Sequence, residues 1–159
     1  MRLFHTAATL LITLSPLAAA AQFVSPGGKT VVVCELTDVA RCAGANLAGS
    51  VKPGASLING TFAKADLSGS DFSGGRLSGA NLSEADLSGA KLGKADLIGA
   101  KLAHASLNHA DLSGADLRAA DLTGADLSGA KLDGAQLSRA TWTNGQPCGP
   151  GSVGSCRLP

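Results

Sequence analysis

Residues 85–89 read Ala-Asp-Leu-Ser-Gly, and residues 125–129 repeat the same five residues in the same phase. The period holds from Ala40 to Trp142 without an insertion or a deletion. We call the large residue of each unit its centre; there are 21 centres, and 16 of them are Leu. The residue two positions before each centre is always small, with 17 Ala, two Ser and two Gly. Such a period predicts a stack of similar units, because one unit alone is too small to bury its apolar side chain.

The five-residue period is incompatible with an α-helix. A step of five residues rotates each Leu by about 140° from the last, so that no apolar stripe forms. Gly also occupies 12 of the 20 positions that lie two residues after a centre, and each would cost about 1 kcal/mol inside a helix. In an extended segment, by contrast, the small residue and the centre lie on the same face because they are two residues apart. Each unit is therefore predicted to be a very short strand that points both residues inward.

The residues after each centre predict a corner. In the unit at Leu87, Gly89 takes the third position of a four-residue turn, where a type II turn requires positive φ. Four such corners return the chain on itself after about 20 residues, and successive coils then pair at about 4.8 Å. Where another residue fills the third position, we expect a turn with negative φ; this applies to Lys64, Glu84, Lys94, His104, His109, Ala119 and Arg139.

Units such as Ala-Asp-Leu-Ser-Gly, Ala-Asn-Leu-Ser-Glu and Ala-Lys-Leu-Gly-Lys resemble the repeat of the pentapeptide-repeat family over residues 40–142. The resemblance implies an all-β fold, a right-handed, quadrilateral parallel β-helix of about five coils whose interior stacks the centres on the Ala residues. Lys52 departs from the pattern, and we expect an irregular first coil or an amine that reaches solvent. The predicted core stack comprises Phe62, Leu67, Phe72, Leu87, Leu107, Leu127 and Trp142.

The first 21 residues have the pattern of a secretory signal. Arg2 precedes an apolar stretch from Ala7 to Leu17, and a run of Ala ends at Ala21, which predicts cleavage before Gln22. A membrane-spanning helix would need about 20 apolar residues, and this stretch is shorter. The predicted organisation is a signal peptide, an N-terminal cap segment, the β-helix and a C-terminal disulfide loop, at residues 1–21, 22–39, 40–142 and 143–159.

Four Cys lie at the two ends of the repeat, in two pairs of equal spacing, Cys34 with Cys42 and Cys148 with Cys156. In an exported chain these pairs indicate disulfides that close the two ends of the stack. A zinc site is the alternative, although zinc ligands are usually more closely spaced. Trp142 is interpreted as a lid on the last coil, with the Cys148 to Cys156 loop behind it; binding of a ligand by stacking is the other interpretation.

Surface residues 20 apart should stack in columns. One column alternates in sign, and we interpret it as a solvated ladder; it comprises Asp71, Lys91, Asp111 and Lys131. A second column is mainly acidic and could bind a cation or a basic partner; it comprises Asn46, Asp66, Asp86, Ser106 and Asp126, with Asp96 and Asp116 on an adjacent face. His104 and His109 fall on neighbouring faces and lack a third metal ligand. Neither a cleft nor an activated nucleophile is predicted, so we expect no catalysis, cofactor or metal.

The sequence thus favours a non-catalytic, exported scaffold that binds an unknown protein, in the periplasm or outside the cell. Removal of the signal takes away Arg2 and leaves 12 basic and 12 acidic residues, a balance that favours neither nucleic acid nor membrane as a partner. The alternative, which comes from the resemblance, is a DNA mimic that binds a type II topoisomerase. DNA carries charge of a single sign, whereas this repeat is balanced. The disulfide loop at the C-terminal end predicts a monomer.

Overall fold

The computed structural model describes residues 20–24, 30–34 and 36–158. Two strands of regular length precede the repeat, β1 (Ala20–Val24) and β2 (Thr30–Cys34), which pair antiparallel with Gln22 opposite Val32. β1 includes the last two residues of the predicted signal, whereas residues 1–19 lie outside the described part of the chain. No helix in the described residues is long and apolar enough to cross a membrane.

The repeat winds with a period of 20 residues. Parallel β-bridges join residues 20 apart, from Arg41 with Thr61 to Asp121 with Thr141. Each short side contributes three backbone hydrogen bonds between neighbouring coils: Leu87 N donates to Ser106 O at 2.8 Å, Gly89 N to Asn108 O at 2.9 Å, and Ser106 N to Ala85 O at 2.9 Å. Each side is a single bridge rather than a regular strand, because a corner interrupts the chain every five residues. The result is a parallel β-helix with four sides to each coil.

The interior of the β-helix is formed by the small residues and the centres. Leu67, Leu87 and Leu107 are buried, as are the two aromatic centres Phe62 and Phe72. Leu127 and Trp142 pack against this core but remain partly exposed. They lie in the last coil, where no further coil covers them.

All the corners have the same backbone form, and the expectation of negative φ at the corners that lack Gly is wrong. Gly89 has φ of 64°, and the non-glycine residues at the equivalent position have φ between 56° and 64°, namely Asn59, Lys64, Glu84, Lys94, His104, His109, Ala119 and Arg139. The hydrogen bonds between coils explain the difference. At the corners that lack Gly, the backbone N–H donates to the next coil, as His104 N does to Thr123 O at 2.8 Å, or, at Arg139, to Cys148 O of the tail. These bonds hold such corners in the same conformation as those with Gly.

Lys52 does not enter the core. Its side chain is exposed, and so is the neighbouring Val51, at 69% exposure. The backbone nevertheless keeps the register of the stack, because Lys52 N donates to Asp71 O at 2.8 Å. The amine therefore reaches solvent without disturbing the coil, which is one of the two outcomes expected from the sequence.

A disulfide lies at each end of the stack. Cys34 is bonded to Cys42 with the Cα atoms 5.4 Å apart, and Cys148 to Cys156 with the Cα atoms 5.1 Å apart. The C-terminal tail folds back on the last coil as two antiparallel bridges, Gln136 with Val153 and Thr141 with Pro147. The tail thus covers part of the edge that the final coil would otherwise leave unpaired.

Candidate functional site

The charged ladder lies along one side of the β-helix, where bridges join Asp71 to Lys91, Lys91 to Asp111, and Asp111 to Lys131. Lys91 Nζ lies 3.8 Å from Asp71 Oδ2, and the side chain of Lys91 is 66% exposed. Such an exposed pair contributes about 0 to 1 kcal/mol to stability. This side therefore presents alternating charge to solvent, with Lys131 as its last member.

The acidic column stacks as the sequence predicts, but its carboxylates are engaged within their own units. Asp66 Oδ1 accepts hydrogen bonds from Ser68 Oγ at 2.7 Å and from Ser68 N at 3.1 Å. These two bonds, the hydroxyl bond first, lower the pKa of Asp66 from its ordinary 3.8. Asp126 Oδ1 likewise accepts from Ser128 N at 2.9 Å. In residues 36–158 no group of His, Cys, Asp or Glu is arranged to hold a metal ion.

Asp116, on the adjacent side, is paired with an arginine rather than free for a partner. Arg118 donates to its carboxylate from Nε at 2.8 Å and from Nη2 at 2.6 Å. This bidentate contact is the main cause of the lowered pKa of Asp116 and of the raised pKa of Arg118. The acidic surface that the sequence indicated here is therefore neutralised at Asp116, whereas Asp96 Oδ1 accepts a hydrogen bond from Ile98 N at 3.1 Å and forms no ion pair in the described residues.

His104 and His109 are exposed corner residues on neighbouring sides of one coil. The ring of His104 lies against Gly124, and the ring of His109 against Gly129, so closely that a Cβ at either glycine would clash with the ring. Each imidazole thus packs on the backbone of the next coil. The two rings do not converge on a common ligand position.

Glu84 and Asp86, two carboxylates that lie two positions apart on one coil, are both exposed. Glu84 Oε2 lies 3.5 Å from Lys64 Nζ, and Asp86 accepts hydrogen bonds from Ser88 N and Ser88 Oγ. Both carboxylates are therefore bonded locally on the outer surface. General acid and base catalysis requires two such groups to face a shared, enclosed substrate position, and the convex surface here provides none.

A shallow groove of about 680 Å³ lies where the C-terminal tail meets the wall of the β-helix. It is lined by the apolar residues Ile98, Ala119 and Pro150 and by the basic residues Arg118 and Arg139. Sequence reasoning missed this groove because Pro150 reaches it only when the tail folds back. Its lining includes neither a carboxylate nor a histidine, so it offers a binding surface rather than a set of reacting groups.

The terminal coil also leaves part of its edge uncovered. Leu127 and Leu132 are partly exposed, whereas Leu107 and Leu112, one coil earlier, are fully buried. Trp142 is partly buried, and its backbone N donates to Gln146 O at 2.8 Å, which turns the chain toward the tail. The C-terminal end therefore combines a covalently closed loop with an open apolar edge.

Comparison with known proteins identifies the repeat and similar folds. Residues 40–83, 80–118 and 120–141 match the family model described as pentapeptide repeats, in 8 copies. Comparison with curated proteins gives no match. Among solved structures, the chain is similar to a pentapeptide-repeat protein from the thylakoid lumen of Arabidopsis thaliana, with 27% identity and a TM-score of 0.63. That match covers 72% of this chain and 86% of the Arabidopsis chain.

Two cyanobacterial structures also match. HetL, a pentapeptide-repeat protein involved in heterocyst differentiation regulation in Nostoc sp. strain PCC 7120, is 36% identical over 67% of this chain and 59% of HetL, with a TM-score of 0.43. A pentapeptide-repeat protein of Cyanothece 51142 is 32% identical over 64% of this chain and 90% of its own, with a TM-score of 0.39.

Proposed function

Because this chain belongs to the pentapeptide-repeat family, we propose that it is a non-catalytic, exported scaffold that acts by binding another protein. The observation that carries the proposal is the uniform outer surface. In the described part of the chain its charged side chains are exposed or paired locally, as in the contacts of Asp66, Asp116 and Glu84, and they do not converge on an enclosed pocket. Such a rod presents flat sides of mixed charge, which suit contact with a protein surface.

Export is supported by the sequence signal and by the disulfides. Disulfides persist in oxidising compartments such as the periplasm or the extracellular space. Two disulfides, Cys34 with Cys42 and Cys148 with Cys156, account for all four Cys of the chain. The similar Arabidopsis protein comes from the thylakoid lumen. We place this protein in the periplasm or outside the cell, as a monomeric rod of about five right-handed coils.

The DNA-mimic alternative has less support. A DNA mimic needs a surface of one sign, because the DNA duplex carries one negative charge about every 1.7 Å. The ladder here alternates instead, with Lys91 3.8 Å from Asp71, and Arg118 neutralises Asp116 on the next side. Export would also separate the protein from a cytosolic topoisomerase. We therefore favour an exported protein partner.

Site-specific photo-crosslinking in the cells that make the protein tests this proposal. A photoreactive amino acid is placed, one variant at a time, on each of the four sides, at Arg76, Asp86, Lys91 and Lys101. We expect one side to yield a discrete adduct with another polypeptide in the exported fraction, and the other three sides serve as matched controls. A fifth variant carries the photoreactive amino acid at Lys131 in the last coil, and the absence of any adduct from all five positions would contradict a scaffold function.

A further inference from the structure

The C-terminal tail pairs with only two of the four sides of the last coil, although its Gly154 also lies beside the backbone of Leu132 and Gly134 on a third. Leu137 N donates to Ser152 O at 2.9 Å, Arg139 N to Cys148 O at 3.0 Å, and Cys148 N to Ala140 O at 2.7 Å. In these bonds the tail takes the place that a further coil would have taken. The tail, which runs antiparallel to the coil, therefore shows that an extended segment can pair with these two sides.

The other two sides of the last coil, residues 125–134, are here called the open edge. One coil earlier, Leu107 N donates to Asp126 O and Leu112 N donates to Lys131 O, both at 2.8 Å. The equivalent donors of the open edge have no hydrogen-bond acceptor among the described residues; they are the backbone N–H groups of Leu127, Gly129, Leu132 and Gly134. Such a row of unpaired groups is a template for another extended chain.

The open edge is apolar on its inner side. Leu127, Ala130 and Leu132 are partly exposed there, although the equivalent residues of the preceding coil, Leu107, Ala110 and Leu112, are fully buried. A segment that paired with the free N–H groups would also cover these side chains. Hydrogen bonds and the burial of apolar surface would then both stabilise the bound segment.

We propose that the open edge is the docking site for an extended segment of a partner polypeptide. The proposal rests on the scaffold function and identifies where on the rod a partner binds. The segment must direct a small residue and an apolar residue, two positions apart, onto the core. On the covered sides the tail buries Cys148, which is 3% exposed, and Ser152, which is fully buried.

Charge specifies the outward residues of the segment. Lys131 ends the alternating ladder and forms no ion pair in the described part of the chain, so an acidic residue is expected beside it. Asp126 ends the acidic column, and a basic residue is expected beside it. A segment of the form Ala-Lys-Leu-Ser-Gly-Ala-Asp-Leu-Ser-Gly satisfies both requirements and continues the hydrogen-bond pattern of the repeat.

A second copy of this chain fits the open edge less well. The residues that would continue the stack in phase are those of the first coil, near Asn46 and Val51. The centre of that coil above Leu132 is Lys52, whose side chain is exposed, so a second copy would bring no apolar side chain onto Leu132. The geometry therefore favours a different polypeptide over head-to-tail assembly.

The test is a titration of the full disulfide-bonded protein with this decapeptide, acetylated and amidated, followed by NMR and amide hydrogen exchange. We expect saturable shifts, and slowed exchange at the amides of Leu127, Gly129, Leu132 and Gly134. A control peptide of equal composition, with Lys and Asp exchanged, should bind about fivefold more weakly, as expected for exposed ion pairs. Unchanged exchange at these four amides in about 1 mM peptide would overturn the proposal.

A charge-reversal variant provides the matched control, because Lys131 is exposed and its replacement leaves the core intact. Lys131→Glu should lose the preference between the two peptides, and an unchanged preference would overturn the proposed register.

Sedimentation equilibrium without peptide tests whether a second copy of this chain occupies the open edge instead. Self-association that protects the same four amides would assign the open edge to a second copy instead. An adduct on one of the four sides in the crosslinking experiment would preserve the scaffold function even if the open edge bound no peptide.

Discussion

Replacement of Leu107 by Ala should strongly destabilise the β-helix. Leu107 is fully buried, and in the stack it lies between Leu87 and Leu127, twenty residues before and after it. The substitution removes three carbon atoms, and at about 0.8 kcal/mol per buried methylene the lost burial alone costs about 2.4 kcal/mol. The cavity adds to this cost because coils on both sides hold its walls in place, so we expect about 3 to 4 kcal/mol in total.

Leu127→Ala is the matched control, since the same side chain occupies the same column one coil later. Leu127 is partly exposed at the open edge, so its removal should cost about half as much or less. Guanidinium denaturation followed by circular dichroism measures both free energies of unfolding. Equal losses for the two variants would refute the reasoning, because they would mean that the last coil is as well covered as the interior.

Three further substitutions test the core, the corners and the turn carboxylates. Ser70→Ala should raise the free energy of unfolding by about 1 kcal/mol, because the buried Ser70 Oγ has no hydrogen-bond partner in the described structure. A lower melting temperature of the variant in thermal denaturation would contradict this. Gly124→Ala should lower the free energy of unfolding by about 1 to 2 kcal/mol because of its positive φ, and by a further amount because the new Cβ displaces the His104 ring. In a double-mutant cycle, His104→Ala should remove the cost of displacing the ring and leave the cost of the positive φ. Thr123→Val should raise the pKa of Asp121 in an NMR titration, because the Thr123 hydroxyl lowers it. A carboxyl whose pKa is lowered in the folded state stabilises the fold at pH values where it is ionised, and this stabilisation is lost as the pH falls through that pKa. The variant should therefore be less stable than the parent at neutral pH and approach the parent's stability as acid protonates Asp121.

The architecture could be predicted from the sequence because every unit has the same physical requirement, the burial of its small residue and its centre. The small residue and the centre, two positions apart, can both be buried only if the chain between them is extended, and Ala85 and Leu87 are both buried in this way. The 20-residue coil follows from four corners, and the bridges between residues 20 apart agree with it. Stacked columns on the surface, such as the charged ladder, could be predicted for the same reason.

Features that depend on contacts between coils could not be predicted from single units. Local preference indicates negative φ at Ala119, whereas the stack holds it at 57° so that its N–H reaches Ser138 O. The groove beside Pro150 and the open edge depend on how the tail folds, and the tail lies outside the repeat. The periodicity that determines the coil carries no information about such a segment.

The most direct test of the central claim, that this is an exported rod closed by disulfides, is the intact mass of the unreduced protein from separated cell fractions. The account predicts a chain that begins at Gln22, is found outside the cytosol and is lighter by two hydrogens for each of its two disulfides. A full-length, fully reduced chain in the cytosol would contradict both the export and the closed ends.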